Sequence, residues 1–182
     1  MSLRSSLIIL FFSCPFLFSS CGGAGKWRVY ETSEFSIEFP GSTQDTVTIA
    51  GEAVTAKSYF LPVEGLLDSN LYYSVSLYSF PDSILFTKEE LTKLFKSDTE
   101  VYAWSIGGTF ADSGRVVKSG AVEGMEYKII IEGSSGISTI RKFVLGKHLY
   151  TLTVVTENKK LNNCSIKRFL DSFTLKKNKV AT

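Results

Sequence analysis

The chain has 182 residues, 44% hydrophobic and 21% charged, with 20 basic against 18 acidic side chains and a formal net charge of +2. That length suits one domain with a sizeable core, and so even a charge balance supplies no field that would favour nucleic acid as a partner. Three cysteines and one histidine are too few for a disulfide framework or a Cys/His zinc site.

The first segment, 1–20, opens with Arg4, runs through Leu7–Phe12 and Phe16–Phe18, and closes on Ser19, Ser20 and Cys21. Charged, then apolar, then small is the order of a secretory signal; the apolar part is shorter than the roughly 20 residues a bilayer span needs, and Pro15 interrupts it. Its end resembles the bacterial lipobox, with Phe18 where that pattern usually has Leu and with Ser19, Ser20 and Cys21 in their places. The resemblance implies cleavage between Ser20 and Cys21 and acylation of the Cys21 thiol, the one nucleophile in the window suited to it. Gly22, Gly23, Ala24 and Gly25 then give a flexible tether, read as 21–29. Two or more acyl chains, palmitate-type or similar, anchor stably where one does not, at about 0.8 kcal/mol per buried methylene. The alternatives are an ordinary signal cut near Gly25, which leaves a secreted domain, and an uncleaved anchor. No acidic run follows Cys21, so the expected address is the bacterial cell envelope, membrane-anchored and facing the periplasm. Cleavage removes Arg4 and brings the net charge to +1. With Cys14 lost and Cys21 acylated, Cys164 is expected to be a partly buried structural thiol.

The folded domain is read as 30–176, with a basic tail over 177–182. "FSIEFPG" alternates Phe35, Ile37 and Phe39 against Ser36 and Glu38 and is ended by Pro40-Gly41, as a strand should be. "TVTIAGEAVTAKSYFLP" gives two strands joined at Gly51-Glu52. In "NLYYSVSLYSF", Leu71, Tyr73, Val75 and Leu77 share one face and Tyr72, Ser74, Ser76 and Tyr78 the other. The pattern then turns helical: Thr87 with Glu90 forms a capping box, Leu91, Leu94 and Phe95 make a stripe, and Gly107-Gly108 ends it. Asp98 interrupts the stripe, which leaves a kinked or two-piece helix open. "GRVVKSGAVEGMEYKIIIEG" and "ISTIRKFVLGKHLYTLTVVTEN" give three further strands, paired around Ser134-Ser135-Gly136 and Gly146-Lys147. A last helix starts at Asn162 or Asn163 and carries Ile166, Phe169, Leu170 and Phe173 at helical spacing. The fold class is therefore α+β: an antiparallel sheet with a central and a C-terminal helix packed on it.

Three segments in order resemble the PsbP-like family, which also includes the Mog proteins. They are "FSIEFPG", then "VEGMEYKI" with Gly124 and Glu126 as a Gly-x-Glu at a strand start, then "RKFVLGKHLYTLTVV" leading to "KRFLDSFTL". Together they span about 35–175. Where the family usually has Pro-Gly before that glutamate, this chain has Glu123-Gly124. The resemblance implies a sheet sandwiched by helices and a generally non-enzymatic binding or assembly module. The matching positions are core and turn residues, so no functional residue carries over, and the Ran, photosystem and metal functions of particular branches have no support here.

A search for chemistry gives no catalytic set, no metal site and no cofactor site. His148 lies at a hairpin turn, the pairs Glu89-Glu90 and Asp98 with Glu100 fit a helix start and a solvent face, and "SIGGTFADSG" lacks the lysine of a phosphate loop. The aromatics Tyr72, Tyr78 and Trp104, with Phe80 and Tyr102, exceed what one sheet face needs and form a candidate binding face, with core packing as the alternative. The sequence thus leads to a lipid-anchored, non-enzymatic envelope module. Its partners are membrane lipid through acylated Cys21 and an unidentified envelope protein or small apolar ligand. A carrier of such a ligand and, more remotely, an envelope hydrolase are the competing expectations.

Overall fold

The computed structural model describes residues 26–42, 44–50, 55–61, 70–81 and 86–176. The expected signal, Ser20, Cys21, the Gly51-Glu52 junction and the tail beyond 176 lie outside the described residues. In chain order the strands and helices are β1 (Arg28–Glu31), β2 (Phe35–Phe39), β3 (Gln44–Ala50), β4 (Thr55–Leu61), β5 (Asn70–Ser79), α1 (Lys88–Ser105), β6 (Gly108–Phe110), β7 (Arg115–Ser119), β8 (Val122–Ile131), β9 (Gly136–Leu145), β10 (His148–Glu157), α2 (Cys164–Ser172) and β11 (Thr174–Leu175).

Every pairing is antiparallel. The large sheet runs β3-β4-β5-β10-β9-β8-β6, with β7 also paired to β8, and the small one runs β1-β2-β11. The period-2 alternation of β5 divides the large sheet's two faces. Tyr73, Val75 and Leu77 join Phe143, Tyr150, Leu152 and Val154 on one face, against Phe35, Ile37 and Phe39 of β2 and Ile166, Phe169 and Leu170 of α2. The opposite face carries Tyr127, Leu149, Ile129 and Ile140 and receives Phe95 and Ala103 of α1. One helix covers each face, which is the α+β sandwich expected.

The helix boundaries follow local chemistry. At the start of α1 the Glu90 amide donates to Thr87 Oγ1 (3.2 Å) and the Thr87 amide to Glu90 Oε2 (2.7 Å), so two amides left over by the helix are satisfied. Past its end Gly107 adopts φ 60°, a conformation that costs glycine little. Between them α1 is one continuous helix of 18 residues. Asp98 does not break it, because it is the helix's ion-pair partner for Lys142, a β9 side chain only 1% exposed. In α2 the Asn163 side chain caps the Ile166 amide at 3.0 Å and, through its own amide nitrogen, donates to Asn70 of β5 at 2.7 Å.

Five strands differ from expectation. β7 and β8 were one strand in the sequence pattern; Gly120 at φ 59° turns the chain between them. β6 and β11 have three and two residues, too few for a periodicity. β1 takes Arg28 and Val29, assigned above to the tether, into pairing with Phe39 and Glu38. Its side chains are largely exposed, so pairing with β2 rather than an apolar pattern defines it. Trp27 ahead of it packs on the core, edge-on to Tyr73, with the Arg168 guanidinium of α2 over its ring at 4.6 Å.

Candidate functional site

A cleft of about 600 Å³ opens between α2 and the sheet end formed by β7, β8 and β9. The register builds its floor: β8 sets Glu126 opposite Arg115 of β7 and Arg141 of β9, and one pleat further sets Lys128 opposite Thr139. From above, α2 and the turn before it contribute Asn163, Ile166, Lys167 and Asp171.

Glu126 is the centre of the polar network. It is 3% exposed; Oε1 accepts from Arg115 Nε at 2.7 Å and Oε2 from Arg141 Nε at 2.5 Å. Arg141 uses its Nη1 to reach Asp171 of α2 at 2.8 Å. A buried carboxylate is tolerated when its oxygens are taken up by charged donors, and here the same bonds fix both arginines and tie the helix to the sheet. Lys118, at the cleft edge, pairs with Glu123 at 3.4 Å. Five basic side chains line the cleft against Glu126 and Asp171, and with Lys118 taken up by Glu123 an excess of two positive charges remains. Lys128 and Lys167 have no ion-pair partner among the described residues, and Thr139 Oγ1 is buried with no hydrogen-bond partner.

The family-like residues now have physical roles. Gly124 is required by close packing: a Cβ there would lie 2.2 Å from the Lys142 carbonyl oxygen. Glu126 is the network's hub, which no spacing rule disclosed. In the "RFLDSF" run, Phe169, Leu170 and Phe173 are core, Arg168 pairs with Glu38 at 2.6 Å, and Ser172 Oγ accepts from the Glu38 amide at 2.9 Å.

The aromatic candidates do not line this cleft. Tyr78 packs against Phe95, Tyr127 and Leu149 under α1, and burial raises its phenol above the ordinary value. Tyr72 lies on the same sheet face, half-buried. Trp104, near the C-terminal end of α1, is 84% exposed and stands apart from both. Tyr102 is half-buried, its hydroxyl 3.1 Å from Ser138 Oγ. A second cleft, about 450 Å³, lies beside α1 and is lined in part by Phe110, Met125 and Tyr127.

His148 begins β10, where its Nδ1 lies 2.9 Å from Ser79 Oγ. Cys164, the first residue of α2, is disulfide-bonded in the full 182-residue chain, where segment 1–20 is still attached, with its partner outside the described residues. That corrects the expectation of a plain thiol. Cysteine counting assumed that both other cysteines are removed or modified before they can pair. Among the described residues no group of three or more His, Cys, Asp or Glu side chains is placed to hold a metal ion, and no helix is long and apolar enough to cross a membrane.

No family model matches the sequence, and no curated protein matches it. Solved structures do resemble it. The solution structure of cyanobacterial PsbP (CyanoP) from Synechocystis sp. PCC 6803 aligns with TM-score 0.54 at 14% identity, over 86% of this chain and 98% of that one. A crystal structure from Bacteroides thetaiotaomicron aligns with TM-score 0.46 at 15% identity over 85% of this chain. This chain spans about half of that one, 49%. At such identities the likeness to CyanoP is one of fold, and the fold is PsbP-like.

Proposed function

We propose that this PsbP-like domain is a lipid-anchored, non-enzymatic binding module of the bacterial envelope, and that the basic cleft under α2 is its binding surface. The observation that carries the second half is the Glu126 network. Two arginines held by one buried carboxylate, with a third bond to α2, make a rigid charged surface whose ordering cost is met in the free protein. The first half rests on "FSSCGGAG", residues 18–25. Cys14 and Cys21 are the other two cysteines of the chain. In a processed, acylated chain the first is gone and the second is occupied, so the Cys164 disulfide is one of the unprocessed chain.

Intact mass of protein extracted from membranes in detergent tests the anchor. The expected result is residues 21–182 plus acyl groups. A bare chain recovered in the soluble fraction overturns it. In-cell crosslinking with Arg115→Glu as the control tests the surface: a partner captured by the native chain should be lost in the variant. A second reading, a carrier of a small apolar ligand, has the Phe110, Met125 and Tyr127 cleft in its favour. Organic extraction of the purified protein should then release a stoichiometric hydrophobic molecule.

A further inference from the structure

We infer that the α2 cleft binds a phosphate group, held by Thr139 Oγ1 with the ammonium groups of Lys128 and Lys167. The inference deepens the proposed function and rests on the cleft being a binding surface. Three observations converge. Thr139 is 3% exposed and its hydroxyl has no hydrogen-bond partner, although buried hydroxyls are nearly always paired. Lys128 lies directly opposite it in the β8-β9 register, and Lys167 closes from α2; neither lysine has an ion-pair partner among the described residues. The remaining cleft charges are already matched, since Glu126 and Asp171 are taken up by Arg115 and Arg141.

The donor set selects the ligand class. Two compact ammonium charges and a hydroxyl donor suit a tetrahedral oxyanion with several acceptor oxygens. A carboxylate is better matched by the arginine fork, which is already committed to Glu126. The two uncommitted positive charges also suit a group that carries up to two negative ones. The phosphate could be free, or it could belong to an anionic phospholipid. The chain enters the fold at Trp27, beneath Arg168 of the same helix. With Cys21 acylated, the stretch from Cys21 to Trp27 reaches at most about 20 Å, so that entry point stays close to the headgroups.

The test uses the full chain purified in neutral detergent. Inorganic phosphate is titrated up to about 10 mM, with phosphorus NMR line broadening as the readout. In parallel, headgroup phosphorus line broadening is measured in mixed micelles of the same detergent with phosphatidylcholine or with phosphatidylglycerol. Binding of inorganic phosphate supports a soluble source, and broadening only of the phosphatidylglycerol headgroup supports the lipid source. In either arm Lys128→Gln and Lys167→Gln should each weaken binding about tenfold. Thr139→Val should weaken it about fivefold without lowering the melting temperature, because the hydroxyl has no partner to lose in the free protein. Lys96→Gln on α1, in an exposed pair with Glu100, should change nothing. The inference is overturned by no binding in either arm, or by a Lys96→Gln loss as large as that of Lys128→Gln. If crosslinking to a partner still depends on Arg115 while phosphate binding is absent, the binding-surface proposal stands and this inference alone falls.

Discussion

Removing Asp98 should destabilise the protein far more than removing Lys142, although the two form one ion pair. Lys142 is 1% exposed, and its ammonium donates to Asp98 and, at 3.3 Å, to Thr151 Oγ1. The Asp98 side chain is 37% exposed and can return to water. In Lys142→Met an apolar chain of similar length replaces the buried charge, and the expected change is within about 1 kcal/mol of neutral, or stabilising. In Asp98→Ala the ammonium loses its counter-charge and must stay buried or lose its proton. Neutralising a lysine whose unfolded value is 10.5 costs about 4.8 kcal/mol at pH 7, at about 1.36 kcal/mol per unit, which sets the upper limit of the loss. Burial already lowers the Lys142 value, against the pull of Asp98. The folded state therefore holds fewer protons than the unfolded one between that lowered value and 10.5, and stability rises with pH across the window. With Lys142 neutral in folded Asp98→Ala, the slope should reach about 1.4 kcal/mol per pH unit. Urea melts of native protein and both variants at pH 7 to 10 measure this. A flat Asp98→Ala profile, or a Lys142→Met loss equal to that of Asp98→Ala, would refute the reasoning.

Glu126→Gln should lower unfolding stability by about 3 kcal/mol, the low end for breaking a buried pair, because Arg115 is exposed enough to resolvate; chemical denaturation reads it, and a loss under about 1 kcal/mol would remove Glu126 as the hub. Gly124→Ala should cost more than about 2 kcal/mol and shift the β8-β9 backbone, since the atom it would strike is a main-chain carbonyl; an unchanged melting temperature would count against the register described. Burial pushes the Tyr150 phenol up to about 12. Its proton is thus held more tightly in the folded state, and the stability this gives is complete below pH 10 and lost as pH rises through 12. In an ultraviolet titration, Tyr150→Phe should delete the last-ionising phenol.

Much of the architecture is written in local patterns. The Thr87-Glu90 box, the Asn163 cap, the β5 alternation and the Gly146-Lys147 hairpin each depend on residues close together in the chain. β1, β6 and β11 are too short to carry a period; β1 is defined by pairing with the next strand, β2, and β6 and β11 by pairing with β8 and with β2, further away in the chain. The cleft was illegible for the same reason at larger scale: Arg115, Glu126, Arg141 and Asp171 span four elements and meet only through register. One signal was available. Glu126 lies between Met125 and Tyr127, and Arg141-Lys142 interrupts "ISTIRKFVL"; a charge inside a buried strand requires a partner. Asp98 carried the same signal from the other side, and what looked like a fault in the α1 stripe was half of a pair.

The adjacency of Arg141 and Lys142 has a consequence for how β9 finds its place. Neighbouring strand residues point to opposite faces, so Arg141 meets Glu126 and Asp171 beneath α2 while Lys142 meets Asp98 beneath α1. Sliding β9 by one residue would exchange the two faces. The planar fork would then face α1, where Asp98 is the carboxylate that meets β9, and the ammonium would face Glu126, whose two oxygens receive a guanidinium from either side. Apolar residues flank the pair on both sides, so hydrophobicity alone penalises that slip weakly. The two cations act as a key with unlike teeth, and they let one alignment of the strand close both helices onto the sheet.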